Sequence, residues 1–203
     1  MVVTRVRVID ENSPLVAGEL DGITLEEFLA LPEATPALEY EEGRVTQKVP
    51  PMGRHSVLQG ALRDLFNAVG APGRVAFAFP ELRTTYQGAG RSFVPDEAVY
   101  RWERIPRSPT GEVADRFTEP PDVAVEIVSP EQSVTSLVRK CVWYVEHGVQ
   151  VALLVDPDDR SVLVFRPGSA PAALRGVERV DLRDTISDFT VSVDELFSAL
   201  QLD

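Results

Sequence analysis

The sequence has one cysteine, two histidines and no long apolar run, and each shortage excludes a class of protein. Because Cys141 is the only cysteine among the 203 residues, no internal disulfide can form, which is typical of a reducing cytoplasm. With only His55 and His147, the chain lacks the Cys and His spacing of a structural zinc site. No apolar stretch could cross a bilayer, and residues 1–8 alternate polar and apolar without a secretory core. We therefore expect a cytoplasmic protein with no membrane partner.

Positive charge is also scarce, since the chain has 20 Lys and Arg residues but 32 Asp and Glu residues, which gives a net charge of −12. This balance argues against a broad basic surface for nucleic acid. A local basic strip would answer that objection, and five arginines lie around residue 96 in sequence: Arg83, Arg91, Arg101, Arg104 and Arg107. The alternative is that they are solvated strand and loop residues, and the sequence leaves both interpretations open.

Hydrophobic periodicity, turn residues and helix caps predict a series of short elements in the first half of the chain. They are a capped helix at residues 24–31, a hairpin at 38–46, a helix at 56–69 closed by Gly70, strands at 74–79, 81–86 and 93–100, and a loop at 105–121. Residues 1–37, which comprise a predicted N-terminal strand and the helix at 24–31, form an extension before the core.

The second half begins with a strand at 123–128, a helix at 133–147 and a strand at 151–155. That order predicts a parallel strand pair joined by a right-handed crossover. A hairpin strand at 162–165, a strand near 180–182 and a helix from 192 to 200 complete the pattern. With no repeats and no linker, residues 1–203 are expected to form one mixed α/β domain with its core at about 38–200.

Two acidic residues, Asp96 and Glu126, stand inside short runs that are otherwise typical of buried strands. An unpaired carboxylate is costly there, so two converging carboxylates make sense if a cation lies between them. Mg²⁺ is usually held by one or two carboxylates, water and a substrate phosphate. Glu126 is expected at the carboxyl end of a parallel strand, where α/β sheets gather ligands. Asp122 shares the strand face of Glu126 and is the rival of Asp96.

A metal-dependent phosphodiester hydrolase also needs a fixed positive group close to the phosphorus. In the simplest layout a lysine is the second residue after the glutamate, but Val128 occupies that position. At ~100° per residue, Lys140 lies at the margin of the apolar stripe of its helix. Its long side chain can extend along the core towards a strand-end site, or it can lie in solvent.

The order and spacing of several motifs resemble the Uma-type family of restriction endonucleases, within the PD-(D/E)XK nuclease superfamily. The resemblance covers about residues 39–197, and it implies a restriction-endonuclease-like mixed sheet flanked by helices. The motifs that carry it are Pro95-Asp96, Glu126-Ile127-Val128-Ser129-Pro130, Lys140-Cys141-Val142-Trp143-Tyr144, Gly148-Val149, the hairpin at 38–45, His55 at a helix start and the strand at 151–156.

The resemblance implies that Asp96 and Glu126 bind Mg²⁺ or Mn²⁺ together with the backbone carbonyl of Ile127. Lys140 would replace the missing strand lysine by extending in from the following helix. The family has a large apolar residue where Val128 stands, so this departure from the superfamily pattern does not by itself imply inactivity. The resemblance also implies that Glu39 is a further acidic member of the site.

His55 and Gln59 are expected as neighbours of the site rather than as ligands. The resulting hypothesis is a Mg²⁺-dependent endonuclease that cuts DNA, with two copies forming a homodimer. One alternative is a non-catalytic, dimeric interaction module that keeps the nuclease-like fold. A carboxylate-pair glycosidase is a third interpretation, but the strands around the two carboxylates supply few aromatic platforms for a sugar.

Overall fold

The computed structural model describes residues 20–130 and 132–201, and the expected N-terminal strand lies outside the described residues. The helices are α1 (Leu25–Leu29), α2 (Gly53–Gly70), α3 (Val134–Glu146) and α4 (Val193–Ser198). The strands are β1 (Leu38–Glu41), β2 (Arg44–Gln47), β3 (Ala76–Pro80), β4 (Thr84–Tyr86), β5 (Arg91–Phe93), β6 (Glu97–Arg101), β7 (Val123–Ile127), β8 (Val151–Asp156), β9 (Ser161–Phe165), β10 (Ala172–Arg175), β11 (Arg179–Asp181) and β12 (Thr190–Ser192).

The strands of the described ranges form three sheets. The largest is a six-stranded mixed sheet in the order β10-β9-β8-β7-β6-β3, in which β7 and β8 are parallel. An antiparallel sheet has the order β2-β1-β5-β4, and β11 pairs with β12. The parallel pair joined by α3 confirms the predicted crossover unit, and the whole confirms a single mixed α/β domain.

Helix starts follow the capping residues that the sequence predicts. The Thr24 side chain accepts from the backbone N–H of Glu27, whose carboxylate accepts from the Thr24 backbone in return, and this capping box starts α1. Ser192 and Glu195 repeat the arrangement at α4. Ser133 caps α3 through the N–H of Ser136.

The mixed sheet is covered by helices on both faces. Alternate residues of β7 divide between two apolar clusters, with Val123 and Val125 in the cluster that contains α2 and Ala124 in the cluster that contains α3. Leu137 and its neighbours on α3 belong to the second cluster. Glu126, which alternates with Val125, therefore faces α3.

The predicted strand at 93–100 is wrong in one respect, because it is divided between two sheets. Residues up to Phe93 pair in the antiparallel sheet, whereas Glu97 begins the β6 pairing in the mixed sheet. Pro95 lies in the interruption, and since it has no N–H it cannot continue a ladder. The chain bends there from one sheet into the other.

Other boundaries also differ from the predictions. The strand predicted at 81–86 is reduced to β4, and Glu81 lies outside it with a positive φ of 48°. Helix α2 begins three residues before Ser56, and Gly70 is its last residue rather than its cap. Strands β10 and β12 were not predicted. Residues 105–121 carry only isolated bridges, as expected for a loop. Within the described part, no helix is long and apolar enough to span a membrane.

Candidate active site

The site forms where the start of β6 lies beside the end of β7. These strands are antiparallel with Glu97 opposite Val125, so Asp96, the residue before β6, lies beside Glu126 and Ile127 at the end of β7. As a result the backbone N–H of Ile127 donates to Asp96 Oδ2 over 2.7 Å. Register therefore brings Asp96 next to Glu126, although the two are far apart in sequence.

Lys140 extends inward from α3 to two carboxylates. Its Nζ lies 2.7 Å from Glu39 Oε1 and 2.8 Å from Glu126 Oε1, and its side chain is only 13% exposed. One helical turn later, the Tyr144 hydroxyl donates to the same Glu126 oxygen over 2.9 Å. Glu39 is held in turn by the backbone N–H of Val94 at 2.8 Å. The solvent-facing alternative for Lys140 does not occur.

Asp96 is surrounded by donors on both oxygens. Lys48 Nζ lies 2.6 Å from Oδ1, and His55 Nε2 lies 3.1 Å from Oδ2. The Asp96 backbone carbonyl accepts from Gln59 Nε2 over 2.9 Å. The two expected neighbours, His55 and Gln59, both contact Asp96. Ile127 donates its backbone N–H to Asp96, and its carbonyl as a metal ligand stays a prediction.

Lys48 was missed by sequence reasoning, yet the composition carried a signal. The chain has only two lysines, Lys48 and Lys140, and its other 18 basic side chains are arginines. Both lysines extend into this one cluster. Tyr144 was given no role in the site, but a buried tyrosine hydroxyl usually finds a partner, and here the partner is Glu126.

The cluster shifts the proton affinities of its members. Burial raises the pKa of Asp96, but the hydrogen bond from His55 and the charge of Lys48 outweigh it and hold that pKa well below its usual range. Burial raises the pKa of Glu126, with Lys140 opposing the shift. Burial lowers the pKa of each lysine, yet the neighbouring carboxylates outweigh it and the net pKa is raised for both. The ammonium groups are therefore strongly held in their charged form.

Asp122, the rival of Asp96, lies at the opposite end of β7. Its Oδ1 accepts from Arg101 Nε at 2.8 Å and contacts Arg104 at 2.7 Å, and its Oδ2 accepts from the Arg101 backbone N–H. The carboxylate is fully buried. Asp122 ties the end of β6 to the following loop and does not approach Glu126.

The arginines around residue 96 do not form a free basic strip. Arg101 and Arg104 are paired with Asp122, and Arg91 lies 2.8 Å from Glu41. Arg83 lies 3.6 Å from an exposed glutamate and donates to a backbone carbonyl. Four of the five guanidinium groups are therefore compensated within the protein.

The oxygen donors of the cluster are of the kind that a hard divalent ion prefers. Asp96 and Glu126 offer carboxylate oxygens at a strand end, which is the chemistry Mg²⁺ prefers. Among the described residues, no three Asp, Glu, His or Cys side chains are placed to enclose an ion by themselves. Ligands would have to be completed by a backbone carbonyl, water and substrate oxygens, which is the usual arrangement for Mg²⁺. The residues present fit such an ion.

Comparisons with known proteins agree with the expected resemblance. A family model described as "Uma2: Putative restriction endonuclease" matches residues 25–194. A crystal structure from Anabaena variabilis, described as a "putative nuclease belonging to DUF820", has a TM-score of 0.84 and 41% identity, covering 88% of this chain and 99% of that chain. A DrdV–DNA complex covers 58% of this chain and 12% of that chain at 10% identity, and its TM-score of 0.30 is too low to indicate a common fold.

A search of curated proteins found no match. The family match nevertheless spans well over half of the chain, and the Anabaena variabilis structure is similar along nearly all of its own length. The predicted resemblance is confirmed, together with the nuclease-like mixed α/β fold. The chain belongs to the Uma2 family.

Proposed function

We propose that this protein is an endonuclease that hydrolyses DNA phosphodiester bonds with the help of Mg²⁺ or Mn²⁺. The observation that carries the proposal is the buried cluster in which Lys140 contacts Glu39 and Glu126 beside Asp96. Removing charged groups from water costs several kcal/mol per ion, so such a cluster is a poor device for stability alone. Membership of a family described as restriction endonucleases supports the same conclusion.

Asp96 and Glu126 would hold the ion, with the backbone carbonyl of Ile127 as a third ligand. When bound, such an ion acts as a Lewis acid and lowers the pKa of a coordinated water. Because the pKa of Asp96 is lowered, its carboxylate is ready in the charged form at neutral pH. His55 and Gln59 fix the orientation of Asp96 through its Oδ2 and its carbonyl.

Lys140 would supply the fixed positive charge beside the scissile phosphate. A lysine with a raised pKa cannot accept a proton at neutral pH, so its role is electrostatic rather than that of a general base. Glu39 and Glu126 position the ammonium from two sides. The group is therefore preorganised to offset negative charge that grows in the transition state.

The proposal is tested by incubating supercoiled plasmid DNA with the protein and Mg²⁺, Mn²⁺ or EDTA. The wild type should nick or cut the DNA only with a metal ion. Asp96→Asn and Lys140→Met should each lower the rate by roughly 10²–10³-fold, the usual effect of removing one such group. Asp158→Asn is the matched control. Asp158 also follows a proline, but its carboxylate is exposed and pairs with Arg54 outside the cluster. It should cut like the wild type.

Equal cleavage by the wild type, Asp96→Asn and Lys140→Met would contradict the assigned roles. If the folded wild type failed to cut any DNA with either metal ion, the nuclease proposal would be abandoned and the non-catalytic interaction module would replace it.

A further inference from the structure

Lys48 is the second ammonium group of the cluster and comes from a different element than Lys140. It follows β2, and its backbone N–H donates to the carbonyl of Ala37 over 2.9 Å, which ties this position to the base of the hairpin. Its Nζ lies 2.6 Å from Asp96 Oδ1 and donates to the carbonyl of Val94 over 2.9 Å. The side chain is only 8% exposed, so this is a buried contact rather than a surface ion pair.

The two oxygens of Asp96 are not equivalent. Oδ2 already accepts from the Ile127 N–H at 2.7 Å and contacts His55 Nε2 at 3.1 Å. The partner of Oδ1 is Lys48. An ion that uses Asp96 as a ligand must therefore bind through Oδ1, since the strand pairing and the helix that carries His55 hold Oδ2.

The charges of the cluster also indicate that Lys48 and a divalent ion would compete for Asp96 Oδ1. Three carboxylates, those of Glu39, Asp96 and Glu126, face the two ammonium groups of Lys48 and Lys140. Lys140 forms close ion pairs with two carboxylates, whereas the close ion pair of Lys48 is with Asp96. A divalent ion on Oδ1 would lie next to the Lys48 ammonium, and two cations on one buried oxygen repel each other strongly.

We propose that Lys48 is a positioning residue that occupies Asp96 Oδ1 as an internal cation and leaves this oxygen when a divalent ion binds. The inference rests on the proposed function, because it assumes that Asp96 is a metal ligand. Lys48 holds the carboxylate in place before the ion arrives, and it lowers the affinity for the ion by competing with it. The flexible four-carbon stem allows the ammonium to withdraw while the backbone stays anchored.

The scarcity of lysine makes the displacement directly observable. Protein labelled with ¹³C at the lysine Cε should give two side-chain signals, one from each lysine, and a Lys48→Met sample assigns them. Saturating Mg²⁺ should move the Lys48 signal towards the position of a solvated lysine. A Lys48 signal that stays in place while the protein is saturated with Mg²⁺ would overturn the inference without reference to any variant's stability.

Calorimetric titration of Mn²⁺ provides the second measurement. Lys48→Met should bind Mn²⁺ about tenfold more tightly than the wild type, because the competing cation is gone. Arg54→Met is the matched control, since it removes one positive charge from a half-exposed pair outside the cluster. It should change the affinity by less than about twofold, because exposed charges are screened.

The outcomes separate the two proposals. Equal or weaker Mn²⁺ binding by Lys48→Met would overturn the role of Lys48 while leaving Asp96 as a ligand. Absence of Mn²⁺ binding in all three proteins would remove the ion from the proposed function, and the Lys48 inference would fall with it.

Discussion

Asp96 and Glu97 are adjacent residues with opposite electrostatic surroundings. Asp96 is supplied with donors on both oxygens, whereas both oxygens of Glu97 are buried and have no hydrogen-bond partner among the described residues. Burial raises the pKa of Glu97 to about 8, with Arg63 opposing the shift and the charge of Asp96 adding to it. The two residues have different surroundings because consecutive side chains along a strand point to opposite faces of the sheet.

Glu97→Gln is expected to stabilise the protein, and more so as the pH rises. The carboxyl group titrates near 4.5 in the unfolded chain and near 8 in the folded one. Wild-type stability should therefore fall as pH rises from about 5 to 8, whereas the amide does not titrate. The advantage of the variant should grow by about 3–4 kcal/mol between pH 5 and pH 8. Urea unfolding of both proteins at several pH values measures it.

The control for this prediction is Glu146→Gln, which changes an exposed carboxylate at the end of α3. Its unfolding free energy should follow the wild type across the whole pH range. Parallel pH curves for the wild type and Glu97→Gln would show that Glu97 is ionised in the folded protein over this range.

Two of the glycines of helix α2, Gly60 and Gly70, have different surroundings. Gly70 ends the helix where the chain turns back into β3, and a Cβ added there would lie 2.6 Å from the backbone oxygen of Ala76. Gly60 lies in the middle of the same helix, and a Cβ added there would meet nothing within 4 Å. Of these two glycines, only Gly70 is required by packing.

Alanine substitutions at these two positions should therefore have opposite effects. Gly70→Ala should destabilise the protein by about 1–3 kcal/mol, because backbone must shift to admit the methyl group. Gly60→Ala should stabilise it by roughly 0.5–1 kcal/mol, the helix propensity difference between the two residues. Chemical denaturation of both variants tests the pair, and a stable Gly70→Ala protein would show that the close approach to Ala76 is not needed.

On the scale of the whole molecule, the site exists only because two sheets meet. Glu39 comes from β1 and Lys48 from the end of β2 in the antiparallel sheet, whereas Glu126 lies on β7 of the mixed sheet. Asp96 lies at the bend that passes from one sheet to the other, and Lys140 enters from α3. Loss of contact between the sheets would separate Glu39 and Lys48 from Glu126 and Lys140.

We propose that two copies associate, because one cluster can attack only one strand of a duplex at a time. Light scattering should then give about twice the mass of one chain, and linear plasmid should appear together with nicked plasmid. Dilution below the dissociation constant should leave nicking alone. A monomer at all concentrations that still linearises plasmid in single encounters would contradict the dimer.

The sequence by itself determined most of the helices and strands, and it singled out the carboxylates of Asp96 and Glu126. Capping boxes, apolar periodicity and the alternation along β7 are local properties, so α1, α3, α4 and the parallel strand pair follow from neighbouring residues. The inward direction of Lys140 was one of two alternatives that helical geometry allowed. The family resemblance added the assignment of roles, which the proposed experiments test.

Only the tertiary structure decided which side chains meet. Lys48 and Asp96 are joined by a 2.6 Å contact across two sheets, and Asp122 pairs with Arg101 and Arg104 at the opposite end of β7. Contacts between residues so far apart in sequence depend on strand register and on the bend at Pro95, because a shift of one residue would move each side chain to the other face. Local patterns predict the elements, and register between sheets assembles the site.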